Sequence, residues 1–406
     1  MAMNDTDPYY KKQIPLNYQG KNLVFRTSQV LFSSHDIDVG TKHLLRTLTL
    51  ENSYEFKKAL DLGCGYGPIG IALKSISPDS FVHMVDRDAL ALDYSQQNMQ
   101  LNNLNDIKIY GSLGYDNIVD TDFDLIVSNI PAKVGEPVLE HMLLDAGYFL
   151  KTKGKVAVVV IEAICDYISG VLNNSSINIL FSKKWPGHTV FIYEFTGSFG
   201  TKKTRHSDFQ LGIYDRGEKT ISFNNQKTYI RTAFGIPEYD TLSFETELII
   251  KYLKVLENRL VKKAIVFNPS QGYIPVVLSK STKIDQISII DRNLESLMVT
   301  KRNLVLNNFS ENKISVLHQI GLRQNNSQKV DLVLGTLSED DNPETHRMLI
   351  KQADYELILG GLMIISSGST AITRIEGFLR SENSFHIQKR ERSKRKSILV
   401  LEKKYS

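Results

Sequence analysis

The glycine-rich stretch at residues 59–71, A-L-D-L-G-C-G-Y-G-P-I-G-I, constrains the fold of this chain more than any other stretch. A short apolar run ends at Asp61, and three glycines follow at alternate positions, Gly63, Gly65 and Gly67, before a helical pattern begins. Glycine adopts backbone angles that other residues resist and lets a ligand approach the main chain closely. The first turn of the following helix offers free N–H groups. The stretch therefore predicts a strand, a tight turn and a helix around a ligand.

Two acidic residues narrow the chemistry of that ligand. Asp61 lies on the strand just before the glycines, and Asp86 ends the next apolar run, F-V-H-M-V-D. An acid at the tip of the second strand is placed to bind ribose hydroxyls. An acid before the glycines repels a pyrophosphate and suits a ligand with a cationic end, which disfavours a nicotinamide-dependent dehydrogenase. The alternative to a ligand site is a glycine turn kept only for packing.

Length and composition set the broad class of protein. A chain of 406 residues with 42% hydrophobic content predicts two packed domains. Its formal net charge of +4 permits a nucleic-acid partner without requiring one. The two cysteines, Cys64 and Cys165, suggest neither a disulfide framework nor a metal site. The sequence has no long apolar run and no signal-peptide pattern. We therefore expect a cytoplasmic protein, most simply a monomer, without a metal or a membrane span.

Short apolar runs and helical patterns alternate through the first 200 residues, which is typical of a parallel sheet. Residues 1–15 are expected to be loose, residues 23–32 to form a strand, and residues 38–48 to form a helix. The strands predicted for the sheet are residues 59–62, 81–86, 107–110, 124–128 and 155–161, then a hairpin of residues 178–181 and 189–195 around a turn at 183–188. The polar, basic run 197–218, with Lys202, Lys203 and Arg205, predicts a connection between domains.

The whole pattern repeats at an offset of about 205 residues, which indicates two copies of one fold. Arg26-Thr27, Asp86-Arg87, residues 98–103 and residues 123–127 are echoed by Arg231-Thr232, Asp291-Arg292, residues 303–308 and residues 330–334. We predict a ligand-binding domain at residues 1–200, a linker at 201–220 and a second copy at 221–406.

The copies differ at the glycine-rich turn. Alignment of residues 65–68 with residues 272–275 gives the pairs Asp61 and Asn268, Gly63 and Ser270, and Gly67 and Ile274. Side chains then stand where a ligand would approach the backbone. We therefore expect that the second copy has lost the ligand.

The strand acid, the alternating glycines and the ribose acid together resemble the S-adenosylmethionine site of the class I methyltransferases. The wider pattern V-L-F-S-S-H-D-I-D-V-G-T-K-H-L-L, D-L-G-C-G-Y-G-P-I-G and N-I-P resembles the methyltransferase small domain group. That group includes ribosomal RNA guanine-N2 methyltransferases with two tandem folds, of which the first is degenerate. The resemblance implies an α/β protein with two tandem Rossmann-like folds, each a seven-stranded, mostly parallel sheet with a C-terminal antiparallel hairpin. In this chain the second copy would be the degenerate one.

The resemblance also implies roles for individual residues in S-adenosylmethionine binding. Asp61 and the turn glycines would line the amino-acid end of the cofactor, Asp86 would hold the ribose, and Gly111-Ser112 would lie near the adenine. The cofactor-binding residues implied in this way are Asp61, Gly63, Gly65, Gly67, Asp86 and Ser112.

The end of the fourth strand faces the transferred methyl group in this fold, and here it reads S-N-I-P-A-K. An exocyclic amine is a poor nucleophile, so two acceptors that each accept one N–H are valuable, because they fix the nitrogen in line with the methyl. Asn129 would supply a side-chain oxygen and Ile130 a backbone carbonyl, which Pro131 would aim by forcing Ile130 towards an extended conformation. Many amine-directed enzymes have Pro and an aromatic residue where this chain has Ile130 and Ala132. The alternative is a plain strand-ending turn.

Several residues are candidates for binding an RNA substrate. Phe32 would replace the missing aromatic residue, although an ordinary core phenylalanine is an alternative, and Lys133 would meet a phosphate. The run K-R-E-R-S-K-R-K before the last strand predicts an exposed basic hairpin tip. Its candidate residues are Lys389, Arg390, Arg392, Lys394, Arg395 and Lys396. A merely solvated charge run is the alternative.

Three functions remain open at this point. The first is an S-adenosylmethionine-dependent N-methyltransferase that acts on an RNA base, with guanine N2 of ribosomal RNA as the expected target. The second is a methyltransferase that acts on a protein amide or a small molecule. The third is an RNA-binding assembly factor without turnover, which the acids at positions 61 and 86 argue against.

Overall fold

A computed structural model of the protein describes residues 7–50, 56–197, 206–223, 226–253, 256, 259–324 and 328–404. Two compact units divide the chain: Tyr10–Tyr214 form the first, and the residues from Asp215 onwards, with residues 7–9, form the second. Each unit contains one seven-stranded sheet and one two-stranded sheet. The linker residues Lys202, Lys203 and Arg205 lie outside the described residues.

The first unit follows the predicted alternation. Its elements are β1 (Tyr10–Tyr18), β2 (Lys21–Ser28), α1 (Val39–Leu50), β3 (Lys58–Leu62), α2 (Pro68–Ile76), β4 (Phe81–Asp86), α3 (Ala89–Leu101), β5 (Ile107–Gly111), β6 (Phe123–Asn129), α4 (Glu136–Leu144), β7 (Leu150–Ile161), α5 (Glu162–Leu172), β8 (Ile177–Trp185) and β9 (His188–Phe195). The sheet order is β5-β4-β3-β6-β7-β9-β8, and β9 runs antiparallel to both of its neighbours. The predicted seven-stranded sheet with a terminal antiparallel hairpin is confirmed.

The strand order reverses beside β3. Chain order runs outwards from β3 through β4 to β5 on one side, and through β6 on the other. A crevice opens at such a switch point, outside the carboxyl ends of the strands. The glycine-rich turn follows β3 and the S-N-I-P segment follows β6, so the fold brings both predicted motifs to the same edge.

The second unit repeats this architecture. Its elements are β10 (Asp215–Phe223), β11 (Gln226–Ala233), α6 (Phe244–Leu253), β12 (Lys263–Phe267), α7 (Tyr273–Ser281), β13 (Gln286–Asp291), α8 (Leu294–Leu306), β14 (Ile314–His318), β15 (Val330–Thr336), α9 (Pro343–Glu356), β16 (Leu357–Gly368), α10 (Ser369–Ser381), β17 (Phe385–Ser393) and β18 (Lys396–Lys403). Its sheet order, β14-β13-β12-β15-β16-β18-β17, matches that of the first. Apolar clusters pack on both faces of this sheet, as expected for a doubly covered sheet.

Two asparagines on one helix face explain the repeated stretch at residues 98–103. Asn98 on α3 accepts a hydrogen bond from Arg26 N at 2.7 Å and donates to Tyr66 O at 2.9 Å, while Asn102 binds the main chain of Val24. Each asparagine ties α3 to the backbone of β2, and Asn98 also ties it to the glycine-rich turn. In the second unit Asn303 and Asn307 make the equivalent bonds. These repeated residues therefore hold the fold together.

Three predictions about local structure are wrong. The strand expected at residues 23–32 ends at Ser28, so Phe32 lies in the segment between β2 and α1. Residues 1–15 are not all loose, because β1 begins at Tyr10 and pairs with β2 around a tight turn at Gln19 and Gly20, both with positive φ. The lysines and the proline of β1 obscure its alternation. The predicted turn at residues 183–188 is also too long, because β8 continues to Trp185 and β9 begins at His188. Within the described ranges, no helix is long and apolar enough to cross a bilayer.

Candidate active site

The three turn glycines have different surroundings. Gly63, Gly65 and Gly67 have φ of +78°, +57° and +95°, which strains any other residue. A Cβ at Gly63 or Gly65 would meet no atom within 4 Å, whereas one at Gly67 would lie 2.7 Å from Met84 Cε. Gly63 and Gly65 therefore leave open space beside the main chain, as a ligand requires. Gly67 begins α2 and is needed for packing against β4.

Asp61 is fully buried, and only one of its two carboxylate oxygens has a hydrogen-bond partner. Its Oδ2 accepts a hydrogen bond from Gly70 N at 2.8 Å, and its Oδ1 has no hydrogen-bond partner. Burial, with a smaller contribution from the charge of Asp86, raises the pKa of Asp61 to about 7. A buried carboxylate oxygen without a partner is costly unless a bound group satisfies it. The site therefore fits the cationic amino group of a ligand next to Oδ1.

Asp86 lies at the carboxyl end of β4, beside the same turn. Its Oδ2 accepts from Gly65 N at 2.9 Å and its Oδ1 from Asp88 N at 2.9 Å. Burial raises the pKa of Asp86 above its usual value. Each carboxylate oxygen keeps a further lone pair, so both can accept from a ribose hydroxyl.

Ser112 follows β5 at the same edge. Its N–H donates to Asp86 O at 3.0 Å. Its hydroxyl donates to Gly114 O at 2.7 Å and accepts from Asn117 N at 3.2 Å. The hydroxyl is thus engaged within its own loop, so contact with an adenine would come from the loop backbone.

Asn129 is held in one orientation next to this turn. Its Nδ2 donates to Asp38 Oδ2 at 2.8 Å and to Thr41 Oγ1 at 3.2 Å. None of the described residues donates to Asn129 Oδ1 or to the Ile130 carbonyl, which leaves both acceptors available. Ser128 Oγ donates to Leu62 O at 2.7 Å and so joins the end of β6 to the end of β3. Two acceptors therefore lie at the edge that carries the glycine-rich turn.

The segment between β2 and α1 carries Phe32, whose ring is 74% exposed. The alternative of a core phenylalanine is therefore wrong. Tyr66 of the glycine-rich turn donates from its hydroxyl to Ser33 O at 3.3 Å. This hydrogen bond places the neighbouring Phe32 beside the glycine-rich turn. Pro131 and Lys133 are also exposed, and Ile130 is buried with its N–H bonded to Val159 O at 2.9 Å.

The second unit corrects the alignment of the two turns. Gly272 caps α7 with φ of +86° as Gly67 caps α2, and Asn268 N donates to Ile290 O as Gly63 N donates to Val85 O. The true offset at the turn is therefore 205, and the alignment with Ile274 opposite Gly67 is wrong. The corrected pairs are Asp61 and Val266, Gly63 and Asn268, Gly65 and Ser270, and Gly67 and Gly272.

The hairpin of β17 and β18 carries the basic run, but its charges are not equally available. Arg390 pairs with Glu376, Lys389 with Glu391, and Lys396 with both Glu245 and Glu339. The residues of the run that are exposed and form no ion pair with a described residue are Arg392, Lys394 and Arg395. Only Lys394 and Arg395 form the turn itself, both with positive φ, so the predicted tip is shorter than the run.

One cluster has the residue types of a metal site. His141 on α4, Asp145 and Asp208 bring their ligand atoms within 4.8 Å of one another. The two carboxylates raise the pKa of His141 to about 10, and its Nδ1 lies 3.6 Å from Asp145 Oδ1 and 3.2 Å from Asp208 Oδ1. With His141 protonated, the three side chains form ion pairs that connect the segment around Asp208 to α4.

Sequence reasoning missed the residues that support the site. Asp38 holds Asn129, Tyr66 holds the segment of Phe32, and Asn98 holds the glycine-rich turn. Asp38 carries a recognisable signal, because an aspartate just before a helical pattern is a preferred N-cap. Tyr66 and Asn98 carry no such local signal, because their roles depend on contacts with segments that are distant in the sequence.

The two tandem seven-stranded sheets, each with a terminal antiparallel hairpin, have the class I methyltransferase fold. Residues 22–175 match the family described as methyltransferase small domain. The match lies within the first unit, and S-adenosylmethionine is the cofactor of the methyltransferases in this family. The residues present fit that cofactor, because Asp61 offers an unsatisfied carboxylate oxygen and Gly63 and Gly65 leave space beside the backbone.

Similar proteins cover different parts of the chain. The chain is 30% identical over 175 residues to a ribosomal RNA small subunit methyltransferase C of Buchnera aphidicola, which is 42% of this chain and 52% of that protein. It is 28% identical to the uncharacterised protein YbxB of Bacillus subtilis, over 41% of this chain and 88% of YbxB. A Thermus thermophilus 16S rRNA N2 methyltransferase, solved with AdoMet and guanosine, superposes with a TM-score of 0.66 at 14% identity over 98% of this chain and 99% of its own. The tandem fold therefore extends through the chain.

Proposed function

We propose that this protein transfers a methyl group from S-adenosylmethionine to an exocyclic amine of an RNA base, with guanine N2 of ribosomal RNA as the expected target. The observation that carries the proposal is the orientation of Asn129. Its amide nitrogen is turned to Asp38, and its oxygen is left free at the sheet edge where the glycine-rich turn follows β3. The Buchnera aphidicola relative, which is named as a ribosomal RNA methyltransferase, supports an RNA substrate.

In this proposal Asn129 and Ile130 position the acceptor amine of the substrate through two hydrogen bonds. S-adenosylmethionine, when bound, would supply a methyl group on a sulfonium. The nitrogen lone pair would take this methyl as the carbon–sulfur bond breaks, a neutral thioether would leave, and one N–H proton of the amine would pass to solvent. The exocyclic amine has two N–H groups, of which one would donate to Asn129 Oδ1 and the other to the Ile130 carbonyl. With both N–H groups held, the lone pair points along one direction. Positioning of this kind lowers the barrier by about 7–11 kcal/mol in well-oriented systems.

Substrate contacts outside the acceptor pair are proposed for two regions. Phe32 is exposed beside Tyr66 and would stack on the target base, since Ala132 offers no ring. Lys133 is exposed two residues beyond Pro131 and would meet a phosphate. We propose residues 1–200 as the catalytic domain and residues 221–406 as an RNA-docking domain that contacts RNA through Arg392, Lys394 and Arg395. A base inside a helix must be extruded to reach the site, so a loop or single strand is the simplest substrate.

Methyl transfer to a protein amide or a small molecule is the second candidate, because an Asn129 oxygen and a backbone carbonyl would hold any –NH2 group. The two candidates separate in a methyl-acceptor assay on cell extract with radiolabelled cofactor. If RNA is the substrate, RNase treatment removes the labelled product, whereas protease treatment leaves it intact. The reverse result would favour a protein substrate.

The decisive test is nucleoside mass spectrometry of ribosomal RNA from a deletion strain and its parent. We expect one methylated guanosine to disappear in the deletion strain and to return with the wild-type gene but not with Asn129→Ala. An unchanged nucleoside profile would contradict the proposal. Calorimetry with S-adenosylmethionine on the Asn129→Ala protein is the control, since the variant should bind the cofactor as the wild type does.

A further inference from the structure

The carboxylate of Asp38 connects the start of α1 to Asn129 at the end of β6. Asp38 comes directly before α1, and its Oδ2 accepts from Thr41 N at 3.1 Å, as a helix N-cap does. The same oxygen accepts from Asn129 Nδ2 at 2.8 Å. One atom therefore joins the start of α1 to the end of β6.

The chemistry of this contact fixes the amide of Asn129. A carboxylate only accepts hydrogen bonds, so the –NH2 group of Asn129 must face Asp38 and the oxygen must face away. With a neutral donor-acceptor partner the amide would be free to turn over, because its oxygen and nitrogen are nearly the same size. Thr41 adds a second contact, from Asn129 Nδ2 to its hydroxyl at 3.2 Å.

The neighbouring glycine makes room for this arrangement. A Cβ at Gly40 would lie 2.9 Å from Asp38 Oδ2 and 2.8 Å from His188 Cδ2. Gly40 is buried within α1 and does not have a positive φ. Glycine is therefore needed here for lack of space and not for its backbone conformation. Any side chain here would displace the carboxylate or His188.

We infer that Asp38 is a positioning residue that turns the Asn129 oxygen towards the substrate and thereby restricts the acceptor group to one that donates N–H. A ring nitrogen that has only a lone pair, or a carboxylate, would meet an acceptor and be rejected. This inference deepens the proposed function and rests on it for its catalytic consequence. The amide orientation itself is independent of the substrate and is tested separately.

The first test follows the Asn129 side-chain amide by nitrogen-15 NMR, with the resonance assigned by its loss in Asn129→Ala. Asp38→Ser keeps a helix cap for Thr41 N but is too short to reach Asn129. We expect the amide resonance to move and its hydrogens to exchange faster in Asp38→Ser. The matched control is Asp36→Ser, which removes an exposed aspartate paired with Lys42 in the same segment and should leave the resonance in place. An unmoved resonance in Asp38→Ser would overturn the inference whatever the substrate is.

The second test measures turnover on the RNA identified by mass spectrometry. We expect Asp38→Ser to lower kcat about 10-fold to 100-fold, with cofactor affinity and Tm unchanged, and to have no further effect in the Asn129→Ala background. Losses that multiply in the double variant, or wild-type turnover in Asp38→Ser, would contradict a role through Asn129. A wild-type protein that methylates no RNA would refute the proposed function instead, and the NMR test would still decide the orientation.

Discussion

The two glycine-rich turns share a backbone and differ in their side chains. Gly63, Gly65 and Gly67 have φ of +78°, +57° and +95°, and Asn268, Ser270 and Gly272 have φ of +47°, +52° and +86°. Each turn caps a helix with its last glycine, and each is held by an asparagine of the next helix, Asn98 or Asn303. The fold therefore depends on main-chain geometry that both copies retain, while the proposed cofactor binding depends on Asp61 and on bare glycines that only the first turn has.

The second turn contains side chains that bind the protein itself. Asn268 Nδ2 donates to Thr336 O at 2.9 Å, and Ser270 Oγ donates to Pro237 O at 2.9 Å. Gln271 donates to the carbonyls of Ala233, Ile236 and Pro237. A left-handed backbone costs a residue other than glycine about 1–2 kcal/mol, and each hydrogen bond returns about 0.5–1.5 kcal/mol. The side chains that replace the glycines in the second turn are therefore nearly neutral for the stability of the second unit.

Asp61→Val, which copies Val266 into the first turn, is expected to have the largest effect. It removes the only buried carboxylate oxygen of the first turn that has no hydrogen-bond partner, and truncation of one partner in a buried charge pair costs about 2–5 kcal/mol. We expect S-adenosylmethionine affinity to fall at least about 30-fold, measured by calorimetry. The matched control is Asp291→Ala in the second unit, which should leave the affinity unchanged. A loss of affinity in the control instead would place the cofactor in the second unit and reverse the comparison.

Gly63→Asn combined with Gly65→Ser copies the rest of the second turn and is expected to have the next largest effect. Asn268 and Ser270 adopt the required backbone in the second unit, so the first turn should fold with a Tm within a few degrees of wild type. The added side chains would project into the open space beside Gly63 and Gly65. We expect affinity for S-adenosylmethionine to fall about tenfold or more. Unchanged affinity in this double variant would show that the cofactor does not approach these two residues.

The sequence predicted the fold well because the repeat and the alternation of apolar runs are local signals. It also located the carboxyl ends of β3, β4 and β6, where Asp61, Asp86 and Asn129 lie. It misaligned the second turn, because Gly-Tyr-x-Pro occurs in both copies and only the hydrogen bonds of Asn268 and Gly272 reveal the two-residue shift. It could not predict which charges of the basic run are paired, since partners such as Glu245 and Glu376 come from distant helices.

Replacement of Arg392, Lys394 and Arg395 by alanine tests whether the second unit contributes RNA affinity. These residues are exposed and form no ion pair with a described residue, so their charges are available to phosphates. We expect about a tenfold loss of RNA affinity, a shallower salt dependence by about 0.7–0.9 per lost phosphate contact, and unchanged cofactor affinity. The control is Lys389→Ala with Arg390→Ala, whose charges are already paired with Glu391 and Glu376 and which should have a smaller effect. Equal losses in both variants would argue against the exposed tip as the contact.

The smallest expected effect is the pH dependence of stability and of S-adenosylmethionine affinity, which distinguishes the two copies in the wild-type protein. The pKa of Asp61 in the folded protein is about 7, above its usual value of 3.8. Because the folded state keeps the proton to higher pH, the free protein should lose stability as pH rises from about 4 to about 7.

S-adenosylmethionine should bind the ionised carboxylate, so affinity should rise by less than about tenfold between pH 6 and pH 7.5, with proton release that calorimetry in two buffers detects. Val266 does not titrate, so the contribution belongs to the first unit alone and should vanish in Asp61→Asn. A pH dependence that survives in Asp61→Asn would assign the titration to another group, of which Asp86 at the end of β4 is the first candidate because its charge acts on Asp61.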